Sequence, residues 1–123
     1  MLESKDAVAN IAVKNLDAAR RFYEKLGFKA VDEQDGELIV FGSGKSVFNV
    51  YRSEFAGSNK ATAVTWQVDD VNKAVSELKA RGVAFEHYDM PGLKREGDVH
   101  IGGDMKVAWF KDPDGNILNV FSQ

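Results

Sequence analysis

The sequence predicts an α+β fold built from two βαβββ modules, and two observations carry this prediction. Two amphipathic helical segments each follow a short strand and each end at a glycine. The landmarks of the two segments also keep a constant spacing, because Val13 to Val68 and Gly27 to Gly82 both span 55 positions (68 minus 13 and 82 minus 27). A repeated order of elements at a fixed offset indicates an internal duplication.

The first module is predicted over residues 7–51. Its first strand, Ala7–Val13, precedes Asn15, a residue type that caps helix N-termini, and the helix that follows ends at Gly27. The other three strands are separated by glycine-containing turns and cover Phe28–Glu33, Glu37–Phe41 and Lys45–Tyr51.

The second module is predicted over residues 62–121, after a linker at 52–61, within a single domain of 123 residues. Asp70 caps the helix and Gly82 ends it. A glycine-rich, charged segment, 89–104, is predicted to be a long loop, either a functional lid or a mobile surface excursion. The predicted strands are Thr62–Val68, Val83–Tyr88, Met105–Lys111 and a last strand that follows the turn Asp112–Gly115 and runs to Phe121.

Composition narrows the possible functions. Hydrophobic residues make up 44% of the chain, which is enough for a core, and the absence of cysteine excludes disulfides, thiolate metal sites and a cysteine nucleophile. The net charge is −3 with both signs interspersed, so nucleic-acid binding is disfavoured. The first ten residues lack the pattern of a signal peptide and no stretch has bilayer-spanning length, so we expect a cytoplasmic protein without a membrane partner.

The predicted strands have two unlike faces, since alternate residues of a strand point to opposite sides. One face is apolar, and we call the other, which places amides beside aromatic residues, the mixed face. Each unpaired buried amide costs about 1 to 3 kcal/mol, so a dry core is disfavoured there, and a concave pocket that holds a small ligand fits better. The predicted ligand-binding residues are Asn10, Asn49, Tyr51, Thr65, Gln67, Trp109, Asn119 and Phe121.

Two points about the mixed face stay open at this level. The amides can instead bond one another or line a dimer interface. Trp109 shares parity with Val107, so it either faces the pocket or fills the core on the helix side, where a lone tryptophan is more often found.

Few residues offer acid–base chemistry. His87 stands near a strand end and His100 in the predicted loop, and neither has a partner visible in the sequence. His100 is the better catalytic candidate because a closing loop can carry it inward. Lys94 and Arg95 in the same loop are candidates for an anion clamp, whereas Asp69 and Asp70 suit a helix start better than a metal site.

Three segments resemble a known family: AVKNLDAARRFYEKLGF, VTWQVDDVNKAVSELKARGV and VAWFKDPDGNILNVF. They are similar to the vicinal oxygen chelate superfamily, which includes glyoxalase I, bleomycin-resistance proteins and extradiol dioxygenases. The resemblance covers essentially the whole chain. It implies paired βαβββ modules whose mixed sheet curls around a central cavity, with the helices on the outer face, commonly in a homodimer.

The resemblance also implies where a metal would be held. Metal-dependent members carry histidine or glutamate on the first and last strand of each module, and the matching positions here are Val8, Asn49, Ala63 and Asn119. Two aliphatic side chains and two neutral amides cannot replace the hydration shell of a divalent ion. We therefore expect no metal and no cofactor, and metal-dependent glyoxalase or dioxygenase activity is disfavoured.

Three functional hypotheses follow. The first is a metal-independent protein that binds a small molecule in a sheet-lined cavity, with sequestration of a toxic compound as one form. The second is a metal-free lyase, isomerase or hydrolase that uses His100 or an acid of the loop. The third is a protein–protein interaction module, which predicts that a partner chain buries Asn49 and Asn119.

Overall fold

The computed structural model describes all 123 residues and confirms the α+β prediction. The chain divides into two compact units, Met1–Ser58 and Asn59–Gln123, each with one helix packed on one mixed sheet. Both helices have ten residues, and neither is long and apolar enough to span a membrane.

The first unit contains a four-stranded sheet in the order β1-β4-β3-β2. Strands β1 and β4 pair in parallel, and the other pairs are antiparallel. After a short 3-10 turn at Leu2–Ser4, its elements are β1 (Ala9–Val13), α1 (Leu16–Lys25), β2 (Lys29–Gln34), β3 (Leu38–Ser43) and β4 (Ser46–Arg52).

Helix α1 begins and ends where the sequence predicts. The Asn15 side chain accepts a hydrogen bond from the backbone N–H of Ala18 at 2.9 Å, and Gly27 follows the helix with φ +104°, which a residue with a Cβ adopts only at a cost. The fully buried ring of Tyr23 packs against Phe41 and Phe48, with ring centroids 5.7 and 5.6 Å away. This aromatic cluster fixes α1 on its sheet.

The second unit contains a six-stranded sheet in the order β5-β10-β9-β8-β7, with β6 also paired to β9. Helix α2 starts and ends 55 positions after α1 (71 minus 16 and 80 minus 25), so the spacing of the repeat is confirmed. Its elements are β5 (Thr62–Gln67), α2 (Val71–Ala80), β6 (Phe85–Glu86), β7 (Lys94–Glu96), β8 (Val99–Gly102), β9 (Met105–Lys111) and β10 (Ile117–Ser122).

The predicted loop over 89–104 is wrong in its centre, where β7 and β8 form an antiparallel hairpin. The turn of this hairpin is Gly97-Asp98, with Gly97 at φ +60°. Asp98 then fastens the hairpin to the rest of the unit, because its carboxylate accepts from Lys79 Nζ at 2.8 Å and lies 2.7 Å from His87 Nε2. Regular pairing and these contacts make the segment part of the sheet.

The turn before β10 is organised by one buried carboxylate. Asp112 accepts hydrogen bonds from the backbone N–H groups of Asp114 and Asn116, at 3.0 and 2.9 Å, and from the Asn116 side-chain amide at 2.8 Å. Gly115 completes the turn at φ +87° and donates to the carbonyl of Asp112. The turn thereby sets the register of β10, which carries Asn119.

Candidate functional site

The two faces of the first sheet differ in burial as the alternation predicts, whereas the middle of β9 and the start of β10 are buried on both faces. In the first unit the helix side is buried, with Ile11, Val13 and Val50 less than 2% exposed. In the second unit Leu118 and Phe110 are equally buried on the helix side. The candidate ligand-binding residues lie on the opposite, mixed faces.

On the mixed face of the first unit, two of the predicted amides bond one another. Asn49 Nδ2 donates to Asn10 Oδ1 at 3.1 Å, across the parallel pairing in which the two residues are opposite, and Asn10 Nδ2 donates to the carbonyl of Val8 at 3.3 Å. Tyr51 is 38% exposed on the same face. The alternative left open by the sequence, amides that satisfy each other, therefore describes this pair.

On the mixed face of the second unit, the structure places Asn119 between two other candidates. Asn119 lies opposite Trp109 on β9 and opposite Thr65 on β5, and Phe121 and Gln67 follow on the same face. Thr65 and Gln67 are exposed, whereas Trp109 and Asn119 are each only 8% exposed. Asn119 Oδ1 is buried without a hydrogen-bond partner.

Trp109 faces the mixed side and not the helix-side core. It is the centre of a second apolar cluster with Val107 and Ile117, and its ring meets Tyr88 at 5.3 Å and His100 at 4.9 Å, both nearly edge to face. The indole Nε1–H donates to Thr62 Oγ1 at 3.1 Å. This ring is therefore held in one orientation by contacts on several sides.

A pocket of about 230 Å³ opens beside Trp109. Its walls are apolar or aromatic apart from Lys60 at the exposed margin and the Thr62 hydroxyl. The hydroxyl of Tyr88, another lining residue, is buried and has no partner. The full lining is Lys60, Ala61, Thr62, Tyr88, Met90, Trp109 and Ile117.

The prediction that His100 lies in a loop is wrong. It occupies the second position of β8, is 1% exposed and is fixed by its Nε2, which accepts from the backbone N–H of Tyr88 at 3.0 Å. That bond requires Nε2 to be unprotonated, so the ring proton of the neutral imidazole sits on Nδ1, which is buried without a partner. His100 does not line the pocket and instead supports the Tyr88 backbone behind it.

The remaining charged candidates lie on or beside the hairpin β7–β8, or at the start of α2. Arg95 Nη1 donates to the carbonyl of Gly97 at 2.7 Å, and Lys94 is exposed on β7. The hydrogen bond from Lys79, and to a smaller extent the one from His87, lowers the pKa of Asp98 below its ordinary value. Asp70 caps α2 by accepting from the N–H of Lys73, as predicted. None of these groups lines the pocket beside Trp109.

A larger cleft, of about 670 Å³, lies in the first unit. It is lined by short or exposed side chains, among them Val8 and Val47, and contains no aromatic wall. Because small-ligand sites are lined mainly by aromatic and apolar side chains, the smaller pocket beside Trp109 is the stronger candidate site.

The four positions at which the resemblance implies metal ligands do not suit a metal. Val8 and Ala63 carry no donor atom, and Asn49 is engaged with Asn10. Asn119 alone has a free oxygen, and one neutral amide does not hold a divalent ion. Nowhere do three or more histidine, cysteine, aspartate or glutamate side chains cluster as metal ligands would.

Sequence reasoning missed Tyr88 and Thr62 as pocket residues. Tyr88 lies in the irregular segment between β6 and β7, where no periodicity assigns a side to a residue. Thr62 begins β5, and its link to Trp109 joins residues 47 positions apart. The Gly97-Asp98 pair, a known two-residue hairpin turn, was the available signal that the segment folds back.

Comparisons with known proteins identify the fold and the family. A comparison with curated proteins found no match. Among solved structures, a bleomycin-binding protein in complex with bleomycin aligns with a TM-score of 0.72 at 19% identity, over 98% of this chain and 99% of that one. Lactoylglutathione lyase from Agrobacterium tumefaciens aligns with 0.71 at 19%, over 97% and 93%.

A fosfomycin resistance protein from Listeria monocytogenes aligns with a TM-score of 0.72 at 13% identity, over 98% of this chain and 93% of that one. At these identities the likeness concerns the fold. The sequence itself matches the model of the Glyoxalase/Bleomycin resistance protein/Dioxygenase superfamily over residues 6–120. The chain therefore belongs to this superfamily.

Proposed function

We propose that the protein binds a small organic molecule in the pocket beside Trp109 and does so without a metal ion. The observation that carries the proposal is the pocket's construction: Tyr88 and Trp109 form two nearly perpendicular aromatic walls, and the Thr62 hydroxyl and Lys60 add polar groups at the margin. Aromatic walls with a few polar groups are typical of small-ligand sites.

The comparisons support the same class of function. One structural relative is a bleomycin-binding protein and another is a fosfomycin resistance protein, so the fold accommodates proteins that deal with small organic molecules. Sequestration of a toxic compound is the form of binding we favour. Metal independence rests on the donor set at Val8, Asn49, Ala63 and Asn119.

Binding is favoured over catalysis by the position of His100. A general base must reach the proton that it takes within hydrogen-bonding distance. Nε2 of His100 is occupied by the N–H of Tyr88, and the ring is 1% exposed behind the pocket wall. The unpaired Nδ1 is the one feature that supports the alternative of a metal-free enzyme.

The homodimer and the interaction module stay proposals. Their support is apolar exposure on the mixed face of the first unit, where Val8, Val47 and Tyr51 are 42, 37 and 38% exposed. Exposed apolar groups gathered on one face mark interaction surfaces. We favour a second copy of the chain as the partner.

The binding proposal is tested by NMR on chelator-treated protein. The two tryptophans give two indole N–H resonances, which the Trp66→Phe variant assigns. We expect a panel of small organic molecules to yield at least one that shifts the Trp109 resonance and leaves that of Trp66 in place. The conservative variant His100→Gln keeps an acceptor for Tyr88 N–H and should bind the same molecule within about twofold, since a structural bond changes affinity little when its acceptor is retained.

Two outcomes would count against the proposal. A shift that requires added zinc, iron or manganese would make the site a metal site. Turnover of the bound molecule that is lost in His100→Gln, with binding intact, would favour the enzyme.

A further inference from the structure

We propose, as an extension that rests on the binding function above, that the pocket beside Trp109 selects a monocyclic aromatic carboxylate. The size of the pocket, the geometry of its walls and the polarity of its lining each point to this class. All three belong to the second unit alone.

The volume limits the ligand to one ring. Sites for drug-sized molecules span about 300 to 1,000 Å³, whereas an apolar cavity of about 150 Å³ already takes up benzene. The pocket here, at about 230 Å³, lies between these values. It therefore suits one six-membered ring with a small substituent better than a fused pair of rings.

The walls favour a flat, unsaturated ring. The rings of Tyr88 and Trp109 meet at 79°, so a planar guest can stack on one and meet the edge of the other. Met90, which is 40% exposed at the margin, supplies a thioether suited to contact with an aromatic ring. A saturated ring of equal size forgoes these oriented contacts.

The polar lining offers donors and a positive charge. Lys60 makes no salt bridge, and no carboxylate lines the pocket. Asp89, which lies between Tyr88 and Met90 in the chain, is exposed and does not belong to the lining. The Thr62 oxygen already accepts from Trp109, so its O–H remains to donate, whereas the Tyr88 O–H is buried behind the wall. A hydroxyl donor and an ammonium group match a carboxylate, which only accepts.

The test compares three probes by NMR titration of the Trp109 indole resonance. Benzoate carries the proposed features, benzamide keeps the ring without the charge, and 1-naphthoate keeps the charge on a larger ring. We expect benzoate to bind about three- to fivefold more tightly than benzamide, the upper part of the range that an exposed charge pair contributes, and 1-naphthoate to bind most weakly.

A lysine pair supplies the matched control. Lys60→Gln should weaken benzoate about three- to fivefold and abolish its advantage over benzamide. Lys73→Gln removes an equal charge from α2, outside the pocket, and should change neither affinity.

The outcomes separate the two proposals. Equal binding of benzoate and benzamide by the natural protein, or equal effects of the two lysine variants, would overturn the selection of a carboxylate and leave the binding function standing. Tighter binding of 1-naphthoate would overturn the limit to one ring. Failure of all three probes to move the Trp109 resonance would overturn the carboxylate proposal, while a different molecule of the wider panel that moves it would preserve the binding function.

Discussion

Replacement of Asp112 by alanine is expected to lower the free energy of unfolding by about 3 to 5 kcal/mol, because three donors of the turn lose their acceptor in a buried place. These donors are the backbone N–H groups of Asp114 and Asn116 and the side-chain amide of Asn116. Asp112 itself is 4% exposed, so water replaces the lost bonds poorly. Urea unfolding followed by far-ultraviolet circular dichroism measures the loss.

Two variants control this prediction. Asp112→Asn keeps an oxygen for the two backbone donors and loses chiefly the bond to the Asn116 amide, so a loss of about 1 to 2 kcal/mol is expected. Asp104→Ala removes an exposed carboxylate and should stay within about 0.5 kcal/mol. An Asp112→Ala loss no larger than that of Asp104→Ala would show that the carboxylate does not organise the turn.

Replacement of Trp109 by alanine is expected to lower the free energy of unfolding by about 3 to 5 kcal/mol, as is usual when a large aromatic residue is removed from a core. The same change should abolish ligand binding. The ring contacts Tyr88, His100, Val107 and Ile117, so its removal opens a cavity beneath the pocket. The same denaturation experiment measures stability, and calorimetric titration with benzoate measures binding.

Trp109→Phe is the matched variant for this position. It keeps an aromatic wall and loses the Nε1–H bond to Thr62, so it should cost about 1 to 2 kcal/mol and retain measurable binding. A stable Trp109→Ala protein that binds as well as the natural one would place the ligand elsewhere.

The repeat was predictable because its signals are local. The N-caps Asn15 and Asp70 and the terminating Gly27 and Gly82 act within one turn of each helix, and the structure places both helices between them. Strand alternation likewise identified the buried helix side of each sheet, although the mixed face of the second sheet is partly buried as well. Periodicity and capping were therefore sufficient to predict the two helices and their repeated order with the strands.

The hairpin β7–β8 was missed because its stability does not come from its own sequence pattern. Lys94–Glu96 is charged and fully exposed, and β8 is held by its pairing with β9 and by the bond from Tyr88 to His100. These contacts are long-range. A short charged strand supported by its neighbours resembles a loop when only local sequence is considered.

The pocket was only partly predictable for a related reason. Alternation placed Asn119 and Phe121 on the mixed face, and the pairing of β9 with β10 places Trp109 on it as well, but of these three only Trp109 lines the pocket. It did not distinguish the first unit, where Asn10 and Asn49 satisfy each other, from the second, where Asn119 keeps a free oxygen. Which polar groups remain unpaired depends on distances that the sequence does not contain.

The central claim, a small-molecule site that works without a metal, is tested most directly by native mass spectrometry combined with elemental analysis of the untagged protein. We predict no stoichiometric zinc, iron, manganese or nickel, and a small organic adduct that is absent from the Trp109→Phe and Trp109→Ala variants or reduced in them. One equivalent of any of these metals per chain, or an adduct unchanged in both variants, would contradict it.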